Sequence, residues 1–171
     1  MGQDVKHKLT TIFYADVAGY SRLTGEDEIG THRVVMEMLD LATEQVRGKG
    51  GTVLRYAGDA ILAEFPSVVA AAEAAVSIQT EIHARNAARS SGSEVLIRIG
   101  INLGEVLQDR NEIFGDGVNL AARLEAATAP GGICISQAVY DQLRGRTNIE
   151  FEDGGRESFK NIAAPVPVYR W

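Results

Sequence analysis

Two aspartates in this chain stand where a short β-prone run breaks at a turn. Asp16 closes "TTIFYADV" ahead of Gly19, and Asp59 follows Gly58 inside "TVLRYAGDAILAEF", residues 52–65. Two such runs split by Gly-Asp are a hairpin signal, and on that footing Asp59 is a turn residue. A second reading stands beside it. Carboxylates brought to one rim suit a hard divalent cation, which takes oxygen ligands and is typically held by one or two carboxylates plus substrate phosphates. The segment after Asp16, "VAGYS", would then offer the backbone N–H groups of Val17, Ala18, Gly19 and Tyr20 to phosphate oxygens, with Gly19 permitting close approach. Its alternative is an ordinary turn from strand to helix.

A third stretch, "EIFGDGVNLAARLE", residues 112–125, sets Asn119 and Arg123 four positions apart. That spacing places both on one helix face, where they can act on one group. Asparagine is a poor interior helix residue, which points to a task, although a helix-start Asn and a solvated Arg fit the same letters.

Periodicity defines the elements that must carry these residues. "TTIFYADV" reads as a buried strand. Residues 28–49 repeat Ile29, Met36, Leu39 and Val46 down one helical face and end at Gly48, Gly50 and Gly51. The hairpin follows, then an alanine-rich helix over 68–89, a strand "EVLIRIGINLGEV", a helix "DGVNLAARLEAA", a strand "ICIS", a short helix near 138–143, and a last strand pair, "IEFED" with "VPVYRW". The order β-α-β-β-α-β over about the first 104 residues is that of the split βαβ, ferredoxin-like unit. The expected fold is therefore α+β: a palm-like, antiparallel-centred sheet with helices packed on one face, extended by C-terminal strands. In it the first strand and the hairpin are central neighbours, which brings Asp16 and Asp59 to the same rim. Residues 1–9 read as a tail and 10–171 as one domain.

Composition narrows the function classes. With 171 residues there is enough chain for one well-filled core. The formal charge is −6, from 23 acidic and 17 basic residues, and no basic run is visible, so nucleic acid is disfavoured as a partner. An anionic substrate would then need a metal ion beside it. No apolar run approaches the roughly 20 residues that cross a bilayer, so no membrane partner is expected. The polar start is no secretory signal, and a single cysteine, Cys134, can form no internal disulfide; together these predict a cytoplasmic chain. His7, His32 and His83 are scattered, without ligand spacing.

Taken together, "FYADVAGYS", "AGDAILAEF" and "FGDGVNLAARLE" resemble the catalytic domain of class III nucleotidyl cyclases, the adenylyl and guanylyl cyclase family, in the family's order and over about residues 10–171. The resemblance implies a reaction in which the ribose 3′-hydroxyl of a nucleoside triphosphate attacks its own α-phosphorus and releases pyrophosphate. It also implies two divalent cations, Mg2+ or Mn2+, on Asp16 and Asp59. Asn119 would position the ribose, Arg123 would stabilise the transition state, and Lys160 in "ESFKNIAAPVPVYR" would hold the triphosphate. Family members build each site from two chains, so a homodimer with shared sites is implied. Such chemistry needs positioning and charge neutralisation more than covalent catalysis.

The chain departs from the adenylyl pattern at the two base-reading positions, where lysine and aspartate are usual and Arg55 and Glu112 stand here. Both keep the usual charge on a longer side chain. Arg55 only donates hydrogen bonds and ionised Glu112 only accepts. That pair suits adenine, which accepts at N1 and donates from its amino group. It suits cytosine next and opposes guanine. The expected substrate is ATP, with CTP the runner-up; alternatively Arg55 and Glu112 pair with each other across the interface and leave the base unread. A cyclase-homology module that binds nucleotide or a partner without turnover is the alternative from another class. The Gly-Gly-Asp/Glu-Glu-Phe turn of diguanylate cyclases is absent.

Overall fold

A computed structural model describes residues 4–19, 27–89 and 94–171. The first strand, β1, runs Lys6–Val17, so residues 6–9 belong to the sheet and not to the expected tail. It is followed by α1 (Glu28–Gly48), β2 (Thr52–Ala57), β3 (Ala60–Phe65), α2 (Val68–Ala88), β4 (Ile97–Asp109), β5 (Glu112–Phe114), α3 (Asp116–Ala126), β6 (Ile133–Ser136), α4 (Gln137–Leu143), β7 (Glu152–Glu157) and β8 (Val166–Arg170). The sheet order is β2-β3-β1-β4-β6-β8-β7, with β5 paired to β4. Each neighbouring pair among its first four strands is antiparallel, in the ferredoxin-like arrangement expected, and the pairing of β4 with β6 is parallel. Two details differ from the sequence reading: β5 is an added strand, and β7 runs Glu152–Glu157 instead of over "IEFED", residues 149–153.

Alternation along β1 sorts the layers, because successive side chains leave a strand on opposite faces. Phe13, Ala15 and Val17 enter the main core with α1, α2 and α4. Ile12 and Tyr14 face the other way, into a smaller cluster with Val118 and Ala121 of α3. The helices are thus not all on one face, since α3 lies opposite the others. Each of the two long helices begins at a side-chain cap. Asp27 accepts from the Gly30 N–H at 3.1 Å and Ser67 from the Ala70 N–H at 3.2 Å, each the kind of contact that contributes about 1 kcal/mol. Alanines 71, 72, 74 and 75 are fully buried, and their small side chains let α2 lie close on the sheet. Among the described residues no helix is long and apolar enough to cross a membrane.

The small helix α3 is the most tightly seated. A Cβ on Gly100 of β4 would stand 2.4 Å from the Glu125 nitrogen and 2.5 Å from the Ala121 carbonyl oxygen, so helix and strand meet at backbone distance. Buried Asn102 donates from Nδ2 to the Gly117 carbonyl at 3.0 Å, and Arg170 donates from Nη1 to the Ala127 carbonyl at 2.8 Å, which fixes both ends. Gly100→Ala should therefore lower stability to urea by about 1–3 kcal/mol, as overpacking does. An unchanged unfolding midpoint would mean that α3 has room to move off the sheet.

Candidate active site

The hairpin delivers Asp59 to the rim. Gly58 takes φ +61° in the two-residue turn, a left-handed position that suits glycine. In register, Asp16 lies opposite Ala60, and the Val17 N–H donates to the Asp59 carbonyl at 3.2 Å. The two aspartates are thus neighbours at one sheet edge. Burial pushes the Asp59 carboxyl above the usual range and the charge of Asp16 adds to the rise, while a backbone hydrogen bond opposes it. Asp16 Oδ1 is buried without a hydrogen-bond partner. An orphaned carboxylate oxygen beside a second, repelled carboxylate fits a hard cation. Among the described residues no group of three or more His, Cys, Asp or Glu side chains is arranged to hold a metal ion, so further ligands would come from backbone oxygens, substrate or water.

The expected phosphate cradle needs correction. The Val17 N–H is spent on Asp59, and the Ala18 N–H donates to the Leu96 carbonyl at 2.9 Å, because sheet pairing runs on past Asp16. Neither is free for a phosphate. Gly19 is exposed, and Tyr20 lies outside the described residues.

Asn119, Arg123 and Lys160 come together around a cavity of about 650 Å³ that Asp116 and Asn161 also line. Asp16 and Asp59 do not line it. Arg55 and Glu112 form a third group: Nη1 of Arg55 meets Oε2 of Glu112 at 3.3 Å, with side chains 41% and 37% exposed. They pair within one chain, through the approach of β2 to β5.

Sequence reasoning missed Glu125 and Arg98. Glu125 is 3% exposed, on the face of α3 that meets the sheet. Burial, a hydrogen bond with Asp16 and the charge of Asp16 push its carboxyl up to about 9, against an opposing pull from Arg98. That rise favours the protonated carboxyl at neutral pH. Arg98 is the register partner of Asp16 on β4. The available signal was an acidic residue in line with Val118 and Ala121 on an otherwise apolar helix face. Tyr14 lies close by, its phenol pushed up by burial and then by Glu125.

The sequence pattern of the adenylate and guanylate cyclase catalytic domain matches residues 3–168. The chain belongs to that family. It is 38% identical over 170 residues to the "Putative adenylate cyclase 3" of Rhizobium meliloti, covering 99% of this chain and 29% of that protein. The chain thus spans under a third of that relative's length. Among solved structures, the adenylate/guanylate cyclase/hydrolase from Silicibacter pomeroyi is 36% identical, with TM-score 0.90 over 98% of each chain. The adenylyl cyclase CyaB from P. aeruginosa is 26% identical, with TM-score 0.87 over 98% of this chain and 95% of its own. The three-layer arrangement of sheet, paired helices and isolated α3 is therefore that of a cyclase catalytic domain.

Glu125 also sets a pH dependence. Its carboxyl titrates near 4.5 in the ordinary state and at about 9 in the fold, so the folded chain holds the extra proton between those limits. Stability contributed by this group falls as pH rises through that window. The thermal midpoint of the metal-free protein should decline toward high pH, and Glu125→Gln should flatten the decline. Equal slopes for the two proteins would put an ionised Glu125 in the fold.

Proposed function

We propose that this domain is an adenylyl cyclase whose sites are shared between two copies of the chain. The ribose 3′-oxygen of ATP bonds to the α-phosphorus as the bond to pyrophosphate breaks, giving 3′,5′-cyclic AMP. The observation that carries the reading is the separation within one chain: Asn119, Arg123 and Lys160 line a cavity that Asp16 and Asp59 do not. A second copy supplies what each half lacks. Asp16 and Asp59 would hold the two divalent cations, Mg2+ or Mn2+, which when bound would neutralise phosphate charge and favour ionisation of the attacking hydroxyl. Asn119 orients the ribose. Arg123 offsets the charge that grows in the transition state, and Lys160 grips the triphosphate.

Base choice falls to Arg55 and Glu112. Their ion pair is half exposed, and such pairs contribute about 0–1 kcal/mol, so a base edge displaces it at little cost. A donor and an acceptor facing guanine in the wrong order would each cost about 1–3 kcal/mol. ATP is preferred on that arithmetic, CTP follows, and GTP is rejected. Cyclisation of the four ribonucleoside triphosphates by purified protein with Mn2+ tests this, ATP being expected to lead. Preferential use of GTP would overturn the base assignment. Arg123→Ala should lower kcat by about 10²–10³ with a smaller change in KM. A normal kcat with a raised KM would remove Arg123 from the transition state.

A further inference from the structure

Five residues with polar side chains line the cavity beside α3, and the reading above uses three of them, Asn119, Arg123 and Lys160. Asp116 and Asn161 are left over. None of the five side chains is held by a hydrogen bond or an ion pair to another described residue, so all are available to a ligand. Asp116 poses the sharper question, because a carboxylate beside an arginine and a lysine repels the phosphates that those two attract.

Its place along the helix answers that question. Asn119 and Arg123 follow Asp116 by three and seven positions, so the three lie within about 60° of one another around the axis, while Asp116 and Arg123 stand about 10 Å apart along it. The order Glu112, Asp116, Asn119, Arg123 thus runs from the group that reads the base to the group that meets the α-phosphate. The turn that bears Asp116 is fixed, since a Cβ on Gly117 would stand 2.9 Å from the Glu105 carbonyl oxygen and Asn102 donates to the Gly117 carbonyl at 3.0 Å. An acid in a first helical turn also offsets the positive end of the helix dipole, a role that would need no substrate.

A carboxylate accepts hydrogen bonds and donates none, so it suits a part of the nucleotide that donates and carries no charge. On ATP the amino group falls to Glu112 and the 3′-hydroxyl is the attacking group. The 2′-hydroxyl remains. We infer that Asp116 accepts a hydrogen bond from the ribose 2′-hydroxyl and so makes the site select ribonucleotides over 2′-deoxyribonucleotides. The inference rests on the adenylyl cyclase reading above.

The test is kcat/KM for ATP and for 2′-deoxy-ATP, with Mn2+, in the wild type, Asp116→Ala and Asp116→Asn. Both nucleotides keep the 3′-hydroxyl, so both can cyclise, and Asp116 is exposed, so neither substitution empties the core. The wild type should favour ATP by about tenfold or more. Asp116→Ala should lose that factor with ATP and change little with 2′-deoxy-ATP, whereas Asp116→Asn, which keeps an acceptor oxygen, should still favour ATP. A wild type that uses the two nucleotides equally would overturn the inference. So would an Asp116→Ala chain that loses nothing, or one that loses equally with both, which would leave Asp116 to the helix dipole or to the 3′-hydroxyl. If the wild type cyclises neither nucleotide, the adenylyl cyclase reading fails, and calorimetric binding of the same two nucleotides to the same three proteins judges Asp116 by the same pattern.

Discussion

Two like charges, Asp16 and Asp59, held side by side at one end of the central strands are the constraint on which the rest of this site depends. Asp16 and Asp59 arrive there by different routes, one at the end of the central strand and one on a two-residue turn, and the Val17 to Asp59 backbone bond locks them side by side. Burial raises the proton affinity of the Asp59 carboxyl, and the charge of Asp16 beside it adds to the rise. A cation relieves that strain. A twelve-residue strand paired on both sides and a tight hairpin keep the two groups from moving apart.

The helix α3 is the second fixed part, and it is two-faced. Inward it presents Val118, Ala121 and Glu125 to the sheet, and outward Asn119 and Arg123 to the cavity. Gly100 lets it lie so close that its rotation is set by backbone contact and not by side-chain packing alone. A site that stabilises charge in a transition state depends on dipoles and cations already in place, so a helix that cannot turn is an asset for Arg123.

Much of this was legible in the sequence. The β-α-β-β-α-β order followed from periodicity, and the Gly-Asp hairpin followed from turn chemistry, which together placed Asp16 and Asp59 at one rim. What escaped was non-local or short. Three-residue β5 is too brief for a period to show, and it is what brings Glu112 to Arg55, 57 positions away. The face on which α3 packs was hidden because Glu125, a carboxylate, interrupts its apolar stripe. The occupied N–H groups of Val17 and Ala18 depend on partners at Asp59 and Leu96, which the letters around Asp16 do not disclose.

The central claim is that the paired carboxylates are repelled when alone and relieved by a cation. The direct measurement is the unfolding temperature of wild type and Asp59→Ala over a range of Mn2+ concentrations, beginning from none. Without the ion Asp59→Ala should be the more stable of the two, and Mn2+ should raise the wild type while leaving the variant nearly flat. A wild type that does not respond to Mn2+, or a variant that gains as much from it, would contradict the account.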